Sequence, residues 1–111
     1  MEDRIDVARD ASSATVSVAG ELELVQGDRL EAAVRRLLPE VERVVIDLNG
    51  VTFLDSSGLG ALIALRQAAE ETGTRLALRS PTQAVTRVLE LTSTTSIFEV
   101  EAPEVTPPIL T

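Results

Sequence analysis

Apolar and polar residues alternate from the start of the chain. Ile5 and Val7 alternate with Arg4 and Asp6; after a polar break from Asp10 to Ser13, Ala14, Val16 and Val18 alternate with Thr15 and Ser17. That period of two predicts two half-buried strands joined as a hairpin. Gly20 reads as the end of the second strand, and Glu21-Leu22-Glu23 as an acidic loop. The period then lengthens. Leu30, Ala33, Val34, Leu37 and Leu38 recur at helical spacing while Arg29, Glu31, Arg35 and Arg36 take the opposite side, which predicts an amphipathic helix. Asp28 favours its N-terminal region through the helix dipole, and Pro39 marks its stop.

The β-branched and apolar run from Val44 to Leu48 predicts a buried strand, followed by a turn at Asn49-Gly50 and a second apolar approach through Val51 and Phe53. Past Leu54-Asp55-Ser56-Ser57-Gly58 the apolar residues return to helical spacing. Leu59, Leu62, Ile63 and Leu65, with Ala61, Ala64, Ala68 and Ala69, predict a helix with a broad apolar face and small residues for close packing, closed at Gly73. Leu76 and Leu78 alternate with Arg75, Ala77 and Arg79 as in a strand. Ser80-Pro81-Thr82-Gln83 has the form of a capping box, with Ser at the N-cap, Pro at the first helical position and Gln two residues on. Ala84, Val85, Val88 and Leu89 would line the buried face of that helix. Ser93 to Ser96 reads as a polar loop and Ile97-Phe98-Glu99-Val100 as a short edge strand.

The order β-β-α-β-α-β-α-β predicts an α/β fold, a mixed β-sheet of four to five strands with helices packed on it. One domain is expected over residues 1–100. The tail 101–111, EAPEVTPPILT, holds three of the five prolines and is expected to be extended or disordered.

Composition narrows the chemistry. At 44% hydrophobic and 2% aromatic residues, the core must be built from Leu, Val, Ile and Ala. The chain has no cysteine, no apolar run of membrane length and no signal-peptide core in MEDRIDVARD, so a soluble, cytoplasmic protein without membrane attachment is expected. Net charge is −8, and every basic residue is Arg. Such an acidic chain is a poor nucleic-acid binder and better matched to a partner with a basic surface. Without His or Lys it cannot build a Ser-His-Asp triad, a histidine zinc site, a P-loop or a Schiff base. A phospho-accepting Asp of the receiver type at Asp55 would want a partner Lys that is absent. Acid-base chemistry through Asp47 and Asp55 is conceivable in principle, but strand-end acids of this kind are commonly solvated or capping groups.

The Asp55-Ser56-Ser57 junction is the chemically informative stretch. Its oxygens suit the free N–H groups of a helix's first turn, so a plain helix cap accounts for it. The same orphan N–H groups and the positive end of the helix dipole can also accommodate a phosphate. Phosphorylation would add roughly −1.5 to −2 charge beside Asp55.

Four segments together resemble a known family: Gly20-Glu21-Leu22-Glu23, Val45-Ile46-Asp47-Leu48, Phe53-Leu54-Asp55-Ser56-Ser57-Gly58-Leu59-Gly60 and Ser80-Pro81. In this order they are similar to the STAS domain, specifically the stand-alone anti-sigma factor antagonists of bacteria, across residues 4 to 100. The resemblance implies the STAS fold and a partner-switching regulator of transcription rather than an enzyme. An antagonist of that family binds an anti-sigma factor that is also a serine kinase and frees its sigma factor. The kinase uses ATP to phosphorylate the Ser after the Asp, the complex separates, and a PP2C-type serine phosphatase restores the active form.

By position, the resemblance makes Ser56 the phospho-acceptor, with Ser57 the second choice. Asp55 is its positioning neighbour, Ser57, Gly58 and Leu59 begin the docking helix, and Glu21 and Glu23 lie in the loop that contacts the partner. No cofactor or metal is implied for the chain itself, and a monomer or weak dimer is expected. Two departures stand out: Glu23 replaces the family's usual Asp, and a Pro-rich tail stands where many members carry a further helix. Other STAS proteins serve as non-phosphorylated scaffolds, as in stressosomes and lipid-transport systems, which is the alternative function.

Overall fold

The computed structural model describes residues 2–101. Five strands and three helices follow in chain order: β1 (Arg4–Arg9), β2 (Ser13–Leu22), α1 (Leu24–Leu37), β3 (Arg43–Leu54), α2 (Ser56–Thr72), β4 (Arg75–Arg79), α3 (Gln83–Leu91) and β5 (Glu99–Glu101), with a turn of 3₁₀ helix at Thr95–Ile97 before β5. The sheet order is β1-β2-β3-β4-β5. β1 and β2 form the expected antiparallel hairpin, and every later pair is parallel, each crossing carrying one helix. The predicted mixed α/β sheet is therefore present, with five strands.

Alternation decides which residues meet the helices. Ala14, Val16 and Val18 of β2, Val44, Ile46 and Leu48 of β3 and Leu78 of β4 face one side, where Leu30 and Val34 of α1, Leu59, Leu62 and Leu65 of α2 and Val85 and Leu89 of α3 complete a single core. The other side of the sheet is charged. Arg75 donates to Glu99 at 2.5 Å, Arg79 to Glu101 at 3.3 Å, and Arg43 also pairs with Glu101, so the three-residue edge strand β5 is tied to β3 and β4. Val45 and Ala77 on this side are nevertheless buried, flanked along their strands by Arg43, Arg75 and Arg79, whose aliphatic stems can cover apolar surface.

Several local expectations are corrected. β2 does not end at Gly20. It continues to Leu22, with Gly20 at φ +93° beside a register shift, and Glu21 donates its N–H to Asp3 Oδ1 at 3.0 Å. Glu21 is therefore a strand residue, and Glu23 is the N-cap of α1 rather than part of a loop. α1 accordingly starts four residues before Asp28, whose charge lies beyond its first turn.

Asn49-Gly50 is not a turn: β3 runs unbroken for 12 residues. Two register shifts against β2 absorb extra residues there, and Gly50 is needed because a β-carbon on it would meet Ala19 Cβ at 2.8 Å. The Ser80-Pro81 capping box does not form. Ser80 takes φ +51°, Thr82 is the N-cap, and its hydroxyl is spent on the Val51 carbonyl across the core rather than on its own helix. Finally, β5 begins at Glu99 because Thr95–Ile97 curls into a 3₁₀ turn, and it reaches Glu101, the first residue assigned to the tail. The remainder of that tail, 102–111, lies outside the described residues.

Candidate functional site

Two helices start side by side at one end of the sheet. β2 and β3 are parallel and in register at Leu22 and Leu54, and each passes into its helix through a single acidic residue, Glu23 into α1 and Asp55 into α2. Both carboxylates cap. Glu23 Oε1 accepts from Gln26 N at 3.0 Å and Oε2 from Val25 N at 3.3 Å; Asp55 Oδ1 accepts from Gly58 N at 2.9 Å. The extra methylene of Glu23 lets one carboxylate span two N–H groups of the first turn. The Asp55 N–H donates to the Leu22 carbonyl at 3.4 Å, which joins the two strand ends.

Small residues make this closeness possible. A β-carbon on Gly27 of α1 would stand 3.2 Å from Ala61 Cβ and 3.6 Å from the Ser57 carbonyl, so the first turns of α1 and α2 pack backbone against backbone. Gly58 and Leu59 are buried beneath the surface of this junction. Above them Ser56 and Ser57 are exposed, at the first two positions of α2. Their N–H groups have no acceptor within the helix, as in any first turn, and the dipole of a 17-residue helix points its positive end at them. The site thus offers two accessible hydroxyls in a weakly positive backbone environment, with the neighbouring carboxylates already engaged.

Glu21 is exposed and stands opposite Phe53 in the β2–β3 register. Between the pairs Gly20↔Val51 and Glu21↔Phe53, β3 carries one extra residue, Thr52. The bulge reverses the alternation: Thr52 and Phe53 are both exposed, and Leu54 turns into the core. Sequence reasoning missed Leu24 and Val25, two exposed aliphatic residues in the first turn of α1. The available signal was an apolar pair standing before the regular Leu30-Val34-Leu37 stripe begins.

Asp47 belongs to a different place. Its Oδ1 accepts from Asn49 N at 2.9 Å, and it lines a crevice of 220 Å³ with Arg4, Asp6, Ser17 and Asn49 on the charged side of the sheet. Eight residues of strand, roughly 25 Å at about 3.3 Å each, separate it from Asp55, so the two carboxylates do not share a site. Neither this crevice nor one of 180 Å³ between α2, β4 and β5 includes a residue of 53–59. No described helix is long and apolar enough to cross a membrane.

Comparison with known proteins agrees with this architecture. Residues 5–99 match the family model described as "Mlab, STAS domain". The chain is 24% identical over 102 residues to the anti-sigma-B factor antagonist of Bacillus subtilis, an alignment covering 92% of this chain and 94% of that one. An anti-sigma factor antagonist from Mycobacterium paratuberculosis superposes with a TM-score of 0.80 at 28% identity, covering 94% of this chain and 88% of that one. The anti-sigma factor antagonist SpoIIAA shares the fold in both its states. Its unphosphorylated form gives a TM-score of 0.77 at 16% identity, covering 91% of this chain and 89% of that one. Its phosphorylated form, from Bacillus, gives 0.73 at 15% identity, covering 91% and 92%. With the family model spanning both helix starts and all but the first and the last two residues of the five-stranded sheet, the chain belongs to the STAS-domain family.

Proposed function

We propose that this chain is an anti-sigma factor antagonist: unphosphorylated, it binds an anti-sigma factor that is a serine kinase and releases the bound sigma factor; phosphorylated on Ser56, it lets the kinase go. The observation that carries this reading is the exposed Ser56 hydroxyl at the first position of α2, beside a carboxylate already committed to capping. The similarity to named antagonists supports the general role, and SpoIIAA supplies a relative of the same fold that exists in a phosphorylated form.

The chain acts as ligand and substrate. In the transfer step the Ser56 oxygen forms a bond to the γ-phosphorus of ATP, the bond to the β-phosphate oxygen breaks, ADP leaves, and the hydroxyl proton passes to a base of the kinase. Asp55 keeps its hold on Gly58 N throughout, so the helix start is positioned for the reaction and the product alike. The new phosphate can turn toward the free N–H groups of the first turn, and the fold need not change. What changes is the surface. A dianion added to an acidic rim inside a closed interface at a cost of about 3 kcal/mol weakens binding on the order of a hundredfold. A PP2C-type serine phosphatase returns the chain to its binding form, in the cytoplasm where sigma factors act.

The test is intact-mass and peptide mass spectrometry after incubation with ATP and each kinase-type anti-sigma factor encoded in the same genome. A single phosphate on Ser56, abolished by Ser56→Ala, is the expected result. Phosphate confined to Ser57 would keep the mechanism and move the acceptor by one residue. A stable complex that is never phosphorylated would overturn the switch in favour of a STAS interaction module of the stressosome or transport type.

A further inference from the structure

Seven large apolar side chains stand exposed among the described residues, and two of them lie next to the paired helix starts: Leu24 opens α1, and Phe53 precedes Ser56 by three residues. On the α1 side, Gly27 touches α2 at Ser57 and Ala61. Leu24, 61% exposed, lies one turn nearer the N-terminus of α1, and helical side chains lean toward the N-terminus. On the strand side, Phe53 is 48% exposed because the bulge at Thr52 turns it out of the core, three residues before Ser56. A regular strand would have buried Phe53 and exposed Leu54. The other phenylalanine, Phe98, is buried.

Acidic groups edge this apolar pair. Glu21 sits opposite Phe53 on β2, and Asp28 stands exposed one turn along α1 from Leu24, whereas Glu23 is occupied as a cap. We propose that Leu24 and Phe53 are the apolar anchors of the partner interface, and that the kinase-type anti-sigma factor meets them with an apolar cleft bordered by Arg or Lys opposite Glu21 and Asp28. The inference rests on the antagonist reading above and deepens it. It assigns affinity to two residues that are neither the phospho-acceptor nor its cap. It also gives the switch a physical cause: a phosphate on Ser56 would bring a dianion into the apolar contact that the two anchors close, where it loses its water while the bordering cations are paired with Glu21 and Asp28.

The experiment is calorimetric titration of the full chain against the kinase-type anti-sigma factor that phosphorylates it, with ADP present so that no transfer occurs. Leu24→Ser and Phe53→Ser are each expected to weaken binding about tenfold or more, the loss typical of truncated interface anchors. Leu91→Ser, at a still more exposed position on α3, is expected to bind like the wild type. Glu21→Arg is expected to weaken binding too, most at low salt. Binding within about twofold of wild type for both anchor variants, with Ser56 still phosphorylated, overturns this inference and leaves the antagonist reading intact. A wild-type chain that binds no such kinase overturns both. Should Phe53→Ser fail to fold, Leu24→Ser decides alone, because Leu24 has no place in the core.

Discussion

The carbonyl oxygen of Leu22 occupies the space that a β-carbon on Gly58 would need. The end of β2 thus touches the first turn of α2 directly, and the Leu54 side chain closes the same gap at 2.7 Å. Gly58→Ala must separate these elements or displace Leu54, and is expected to destabilise the protein by about 1–3 kcal/mol. Gly60, two residues on, is the contrast: nothing lies within 4 Å of its missing β-carbon. Gly60→Ala is expected to stabilise by about 0.5–1 kcal/mol through helix propensity and a less disordered unfolded chain. Urea unfolding of the two variants should move the midpoint in opposite directions.

The twin caps make a second prediction. Asp55→Ala removes the acceptor for Gly58 N, and Glu23→Ala removes the acceptor for both Val25 N and Gln26 N. Each is expected to cost about 1 kcal/mol, whereas Asp55→Asn, which keeps a side-chain oxygen at the same reach, should stay within about 0.5 kcal/mol of wild type. Chemical denaturation measures all three. Equal losses for Asp55→Asn and Asp55→Ala would mean that the charge, not the hydrogen bond, secures the start of α2.

These caps also show what sequence alone conveyed. The apolar stripes of β2, α1 and α2 determine a core by repetition over many residues, so the α/β order and most of the buried set were legible. The helix start at Asp55-Ser56 was legible because capping is local chemistry. The misreadings share one cause, tertiary contact overriding a local signal. Gly20 and Asn49-Gly50 resemble breaks until the neighbouring strand supplies the pairing that makes them bulges. Ser80-Pro81-Thr82-Gln83 resembles a capping box until Ser80 turns to a positive φ and the helix starts after Thr82, whose hydroxyl donates to the Val51 carbonyl. Phe53 reads from its own segment as part of one apolar approach with Val51, but its exposure is set by a register shift against β2.

Asp10 carries the clearest pH prediction. The Ser13 hydroxyl and the backbone N–H groups of Ser13 and Ser12 all donate to its carboxylate in the β1–β2 turn, and hold its pKa below the ordinary aspartate value. A depressed folded pKa stabilises the fold above the unfolded-state value, about 3.9, and that contribution is lost as pH falls through the folded value. Carboxyl NMR titration should find Asp10 titrating below a typical exposed Asp. Ser13→Ala removes the largest cause and should move that titration upward, with the hairpin's stability becoming less sensitive to pH on the acid side. An unmoved titration in Ser13→Ala would assign the shift to the backbone donors.

Thr82 ties the start of α3 to the strand that carries the site. Its hydroxyl donates to the Val51 carbonyl at 2.7 Å, and Val51 is buried immediately before the Thr52-Phe53 bulge. Thr82→Val keeps the shape but removes the donor, leaving that carbonyl short of a partner in a buried segment. The expected cost is about 1–3 kcal/mol, and Thr82→Ser should recover most of it. The effect should also be local. With its anchor gone the bulge can open without global unfolding, so amide exchange at Phe53 and Leu54 should accelerate more than exchange in β4. If exchange rises uniformly instead, the bond serves overall stability alone and the bulge is held by its strand pairing with β2.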